Sequence, residues 1–132
     1  MKSTFPLGRA LLGAVMIVGA CAALKWAAPE HLSLEWSQRL TGALLGFVVV
    51  FYANAIPKSL TALARLRCSP QAEQAARRFA GWSLVLGGLG YMLAMLFAPL
   101  ASAHLLGGGV LIVALAAALW RCFGAGSAAA RG

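Results

Sequence analysis

Acidic side chains are scarce in this chain. Only 3 of its 132 residues are acidic, against 11 Lys and Arg residues, and the three acids are Glu30, Glu35 and Glu73. All three fall outside the long apolar stretches of the sequence. Proton-coupled pumps and antiporters need an ionisable group inside the bilayer, so this distribution argues against proton-coupled transport.

Groups suited to catalysis or cofactor binding are also few. His31 and His104 lie near the ends of apolar stretches, so neither is placed to ligate a haem between helices. Cys21 and Ser83 have no base at a matching depth to activate them as nucleophiles. We therefore expect no enzyme, with no catalytic residue and no cofactor.

Cysteine is too sparse to build a framework. The chain has three, Cys21, Cys68 and Cys122, and no Cys-x-x-Cys pair. No two of them are expected to meet on an oxidising side of a membrane, so we expect neither a structural disulfide nor a metal site.

Apolar residues, by contrast, make up 61% of the chain, and charged residues only 11%. Four apolar stretches, 10–24, 40–56, 79–98 and 103–120, approach the roughly 20 residues that a helix needs to cross a hydrocarbon core of about 30 Å. Lipid cannot satisfy free backbone groups, so the spans must be helical. The sequence predicts an all-α integral membrane protein with four transmembrane helices in one domain, residues 1–124, followed by a disordered Gly/Ala-rich tail, 125–132.

The chain has a net charge of +8, and its basic residues are unevenly divided between the two sides of the predicted membrane topology. Between the predicted spans, only Lys25 and Arg39 fall on one side of the membrane. The other nine basic residues fall on the opposite side: Lys2, Arg9, Lys58, Arg65, Arg67, Arg77, Arg78, Arg121 and Arg131. This positive-inside bias predicts that both termini and the basic loop 57–78 are cytoplasmic. It also accounts for the charge without nucleic-acid binding.

The first stretch has two interpretations, which stay open. The basic start, the apolar run and the small residues resemble a signal peptide, and Val18-Gly19-Ala20-Cys21 loosely resembles a lipobox, in which the cysteine is lipidated after cleavage. However, Lys25-Trp26 directly follows and is typical of the interfacial anchor of an intact helix. We favour a retained span.

Local patterns predict helix boundaries and packing. Ser33 is expected to start a short interfacial helix that leads into the second span, and Ser69-Pro70 to start the third helix, with Glu73 and Arg77 forming an i, i+4 pair. Gly42-x-x-x-Gly46 predicts close helix packing. The expected partner is a stripe of small residues on the third span: Gly87, Gly90, Ala94 and Ala98.

The candidate binding residues are concentrated around the cytoplasmic end of the second span. Asn54 lies about one turn inside Lys58, where a polar amide favours a partner, and Pro57 is expected to end the helix. We add Trp82, where the next span begins, and the arginines between these spans to the candidate set: Arg65, Arg67, Arg77 and Arg78. These arginines are expected to contact anionic lipid or a cytoplasmic partner.

The run Tyr52-Ala53-Asn54-Ala55-Ile56-Pro57-Lys58 resembles the Gly-Asn-x-x-Pro-Lys motif of the SdpI family of small bacterial membrane proteins, and Arg78-Phe79-Ala80-Gly81-Trp82 adds to the resemblance. The resemblance implies a multi-pass protein of the bacterial inner membrane with a role in peptide immunity or signalling. Asn54, Pro57 and Lys58 are the matched positions. The family's Asn…Gly-Ile-Arg-Thr-Pro-Trp run has no counterpart here beyond Arg65 and Arg67.

The expected function is thus a non-enzymatic immunity or signal-sensing role. Two alternatives remain open: a small transporter or channel built from several copies of the chain, and an accessory subunit of a larger membrane complex. A membrane or cytoplasmic protein partner, or a homo-oligomer, is compatible with all three.

The orientation can be tested by charge. Replacing the Lys and Arg residues of loop 57–78 with Gln is expected to disturb the orientation, whereas adding acidic residues there leaves it largely intact, because Lys and Arg set orientation and acids contribute little. Labelling of single cysteines by an impermeant reagent measures both. A map that places this loop outside the cell contradicts the predicted topology.

Overall fold

The computed structural model describes residues 7–55 and 70–130, and within them it contains four helices and no strand. The helices are α1, Leu7–Ala27; α2, Leu34–Ala55; α3, Pro70–Phe97; and α4, Leu100–Ala130. The all-helical prediction is confirmed for these residues. Pro57, Lys58, Arg65 and Arg67 lie outside them.

Two of the predicted helix starts are found. α2 begins at Leu34, and the backbone amide of Trp36 donates to the Ser33 hydroxyl oxygen at 3.4 Å, in the manner of an N-cap. The helix then continues without a break to Ala55, so no separate interfacial helix precedes it. α3 begins at Pro70, as expected for a residue that lacks an amide proton.

The contact between α2 and α3 depends on glycine. A Cβ atom on Gly46 would lie 2.5 Å from Cγ of Met92 and 2.9 Å from the carbonyl oxygen of Gly88, and a Cβ on Gly42 would overlap the Met95 side chain. The prediction that the Gly-x-x-x-Gly face packs on a neighbouring helix is confirmed, and the contact is within one chain. The expected partner stripe is wrong, because α2 meets Gly88, Met92 and Met95 instead.

The face of α3 that carries Gly87 and Gly90 is turned toward α4. A Cβ on Gly87 would meet Ala114 at 2.6 Å, and one on Gly90 would meet Val110 at 2.8 Å. On α4, Gly107 lies against the ring of Tyr91. The two helices form an antiparallel hairpin across Ala98 and Pro99, with a small core of Tyr91, Met95 and Ala103, in which Met95 is 0% exposed.

Among the described residues, helix α1 packs sparsely, and mainly on α2. The buried hydroxyl of Ser37 donates to the Leu24 carbonyl at 3.2 Å, which connects the adjacent ends of the two helices. Further along, Gly13 approaches the Tyr52 hydroxyl. Leu11, Leu12, Val15, Met16 and Val18 are all more than 60% exposed, so the faces of α1 that carry them have no protein neighbour within the described residues.

Among the described residues, two helices are long and apolar enough to cross a membrane: Gln71–Phe97, whose 18-residue apolar window has mean hydropathy 1.6, and Leu100–Gly124, whose window has 2.0. The apolar part of α1, Leu11–Ala27, is shorter. At the other end of the chain, α4 continues to Ala130. Residues 125–130, expected to be disordered, are thus helical, since alanine has the highest helix propensity and no proline interrupts the run.

The glycine contact predicts a position-specific effect of a single methyl group. Gly46→Ala is expected to destabilise the protein by about 1–3 kcal/mol, because the new methyl group meets backbone atoms of α3 that cannot rotate away. Gly108→Ala is the matched control, since nothing lies within 4 Å of its Cβ position; there, alanine's helix propensity makes the change neutral or slightly stabilising. Thermal unfolding in detergent measures both, and equal effects at the two positions would contradict the predicted packing.

Candidate functional site

Polar and charged residues gather at the two ends of the helices, with a charge-free band between them. No Lys, Arg, Asp or Glu occurs in residues 10–24, 40–55, 79–97 or 100–120. Of the large hydrophobic side chains described, 27 are exposed. Only seven hydrophobic residues are buried, namely five alanines, Tyr91 and Met95. The surface of the band is therefore apolar, and its interior is small.

Tryptophans mark both edges of this band. All four are between 52% and 83% exposed. Trp26 and Trp36 lie at the facing ends of α1 and α2. Trp82 lines a groove with Asn54. At 1.5 Å per residue, Asn54 lies about 27 Å along α2 from Trp36. Trp120 precedes Arg121, which packs on Phe79, one turn before Trp82. This spacing is close to the thickness of a hydrocarbon core, about 30 Å.

Two of the candidate residues meet in an open groove between α2 and α3. The groove has a volume of about 430 Å³ and brings Asn54 to one wall and Trp82 to the other. The remaining lining residues are Phe47, Val50, Phe51, Ala53, Gly81 and Val85. We refer to this feature as the Asn54 groove. Its wall is aromatic and aliphatic, with a single amide at one end.

The Asn54 side chain is exposed in this groove. The sequence led us to expect a partner for it on a neighbouring helix, but no hydrogen bond joins this side chain to any part of the chain that the structure describes. An amide side chain of this kind carries two donors and an acceptor.

Arg77 and Arg78 precede Trp82 by about one turn but do not line the same groove. Arg77 forms the predicted ion pair with Glu73, which is confirmed. Arg78 is exposed and lines an open cleft with Gln71, Gln74 and Ala75. The candidate set is therefore divided between the Asn54 groove and the first turns of α3, while Pro57, Lys58, Arg65 and Arg67 lie outside the described residues.

The opposite end contains a polar contact that the sequence analysis missed. Nη1 of Arg39 lies 3.1, 3.0 and 2.8 Å from the carbonyl oxygens of Met95, Leu96 and Ala98, which close α3. Nε and Nη2 donate to Glu35 at 3.1 and 2.9 Å. The Arg39 side chain is only 12% exposed. A cation at this position satisfies carbonyls that the end of a helix leaves unpaired.

Part of this contact could be predicted from the sequence. Glu35 and Arg39 are four residues apart on one helix, a spacing that predicts an ion pair. The contacts with the α3 carbonyls could not be predicted in this way, since those carbonyls are 56 to 59 residues away and come into reach only when α2 and α3 pack.

Among the residues that the structure describes, no three metal-ligating side chains are grouped. Comparisons with protein-family models, with curated proteins and with solved structures find no match to this chain.

Removing the Arg39 guanidinium is expected to destabilise the α3–α4 turn. Arg39→Met keeps the stem but leaves the three carbonyls without a donor, at a cost of about 1–3 kcal/mol. Lys25→Met, which removes an exposed cation at the same end, is the control and is expected to stay within about 0.5 kcal/mol of the wild type. Equal unfolding midpoints for Arg39→Met and Lys25→Met in detergent would show that the carbonyl contacts do not contribute.

Proposed function

We propose that this chain is a non-enzymatic, four-span protein of a bacterial inner membrane, which binds a hydrophobic peptide in an immunity or signal-sensing role of the SdpI type. The observation that carries the proposal is the Asn54 groove, an aromatic-lined surface with one exposed amide at the edge of a charge-free band. The resemblance of residues 52–58 to the SdpI motif points to the same stretch.

Exposure of the helices supports the membrane assignment. In their most apolar windows, only 22% of α3 and 17% of α4 are buried by the rest of the chain. A core helix of a soluble protein would be largely buried, whereas a spanning helix faces lipid. We extend the assignment to α1 and α2, because each has a charge-free segment and they are joined to α3 by packing, α1 on α2 and α2 on α3.

The charges support a cytoplasmic position for the end that carries Arg78. At this end, Arg77, Arg78 and Arg121 face a single acid, Glu73. At the other end, Lys25 and Arg39 are matched by Glu30 and Glu35. An excess of Lys and Arg at one end is the mark of a cytoplasmic side.

The Asn54 groove suits a helical apolar peptide better than a soluble metabolite. Phe47, Phe51 and Trp82 are exposed, and a partner helix would cover them. Once water is excluded, the Asn54 amide would pair with a polar group of the peptide and set its position, since amide hydrogen bonds between membrane helices favour association by about 1 kcal/mol.

The exposure of α1 favours a second function, that of an accessory subunit. Its apolar side chains contact little of the chain, and a larger membrane protein would supply neighbours for them. This alternative places the working surface on α1 rather than at Asn54.

The groove predicts which variants lose protection. In a strain that lacks this protein, sensitivity to one or more hydrophobic antimicrobial peptides is expected to rise, and the wild-type gene restores resistance. Asn54→Leu and Trp82→Ala are expected to restore it about three- to tenfold less well, the effect of losing a hydrogen bond or an aromatic contact. Trp26→Ala, an exposed tryptophan at the opposite end, is the control and restores it fully.

Normal resistance of the deletion strain across the peptide panel would contradict the immunity role. If, in addition, the protein copurifies in mild detergent with a larger membrane complex, and Leu12→Ala or Val15→Ala in α1 weakens that association, the accessory function is favoured. Membrane fractionation of every variant separates loss of binding from loss of insertion.

A further inference from the structure

Two shallow clefts lie on either side of the first turns of α3, and Ala75 lines both. The first, of about 600 Å³, is lined by Gln71, Gln74, Ala75 and Arg78. The second, of about 360 Å³ between α3 and α4, is lined by Ala72, Ala75, Ala76, Trp120, Arg121 and Gly124. Each cleft thus carries one guanidinium, and the two share a wall.

Small residues form the floor of the second cleft. Ala72, Ala75, Ala76 and Gly124 leave room for a ligand against the backbone, while Arg121 and Trp120 form its border. The Arg121 guanidinium lies 5.5 Å from the centroid of the Phe79 ring. This cation–π contact holds the guanidinium without neutralising its charge.

Among the described residues, no acid lines either cleft. The one acid of α3, Glu73, pairs with Arg77, which leaves Arg78 and Arg121 as excess positive charge on the two clefts. Gln71 and Gln74 add amide donors to the first cleft. The ligand that this set fits is an anion with several oxygen acceptors, such as a phosphodiester.

The position of the clefts indicates where the anion comes from. In the membrane placement of the proposed function, on which this inference rests, Trp82 and Trp120 lie at the interface. The clefts lie directly beyond them, at the level of the lipid headgroups. Trp120 and Phe79 would then contact the acyl chains of a lipid whose phosphates reach the arginines.

We propose that the two clefts together bind one phospholipid that carries two phosphodiesters, of the diphosphatidylglycerol class. One phosphate pairs with Arg78 and the other with Arg121, while Ala75 separates them. A lipid with a single phosphodiester occupies one cleft and engages one arginine. Basic surfaces between helices on the cytoplasmic side are where such headgroups bind.

The test uses the full chain in nanodiscs of phosphatidylcholine, to which diphosphatidylglycerol is added in increasing mole fraction. A second series adds phosphatidylglycerol at equal total charge, and a third adds inorganic pyrophosphate to neutral discs. The thermal midpoint is measured for the wild type, Arg78→Gln, Arg121→Gln, Arg121→Lys and the control Lys25→Gln. Each midpoint is referred to that of the same variant in neutral discs, which removes differences in intrinsic stability.

Diphosphatidylglycerol is expected to raise the wild-type midpoint saturably at a low mole fraction. Arg78→Gln and Arg121→Gln each weaken the apparent affinity about fivefold, equivalent to about 1 kcal/mol. Arg121→Lys gives a smaller loss, because lysine keeps the charge but not the planar fork. Lys25→Gln behaves as the wild type.

Three results overturn the inference. They are an equal response to phosphatidylglycerol at matched charge, an equal response to pyrophosphate, and an unchanged affinity in both Gln variants. If the chain does not enter nanodiscs at all, the proposed membrane function fails with it. If it enters but shows no lipid response, only the inference about these clefts fails.

Discussion

The approach of Gly46 to Gly88 sets the register of α2 against α3, and much of the structure depends on it. With no Cβ on either residue, the two backbones lie close enough that a methyl group on one would meet the carbonyl oxygen of the other. Two turns along α2 in one direction, Asn54 lines a groove whose other wall carries Trp82. Two turns in the other, Arg39 reaches the last carbonyls of α3. One glycine contact thus positions both polar ends of α2.

The distribution of burial follows from the same contact. Residues at the helix interfaces are small or flexible, as with Ala43, Ala103 and Met95, while the large aliphatic side chains point outward. In water this arrangement would be unfavourable, because burying apolar surface is the main favourable term in folding. In lipid it is expected, since association there depends on close van der Waals packing of small residues rather than on exclusion of water.

Periodicity and propensity were enough to predict the helices, and longer-range features were not. The apolar runs predicted all four helices, Pro70 predicted the start of α3, and the spacing of Glu73 and Arg77 predicted their ion pair. Each of these signals lies within a short stretch of the sequence. The partner of Gly42 and Gly46 was assigned to the wrong face of α3, since α3 carries glycines on two faces and its rotation depends on where α4 packs. The contacts of Arg39 with α3 could not be predicted from nearby residues, because they too depend on how α2 and α3 pack. The Asn54 groove likewise forms only when α2 and α3 pack in the correct register. Residues 125–130 were predicted to be disordered because the low helix propensity of glycine was given more weight than the high helix propensity of alanine.

The Arg39 contact also bears on the order in which the protein is made. The last carbonyls of α3 receive their donor from α2, which the ribosome completes before α3 begins. Under the proposed membrane topology, the group that closes the turn is already in the membrane when the α3–α4 hairpin is inserted. The hairpin therefore does not need to supply its own cap, and the two residues Ala98 and Pro99 are enough to connect the helices. A chain rearranged so that α2 follows α4 would have the same contacts in the finished protein, but its hairpin would emerge with the turn unpaired.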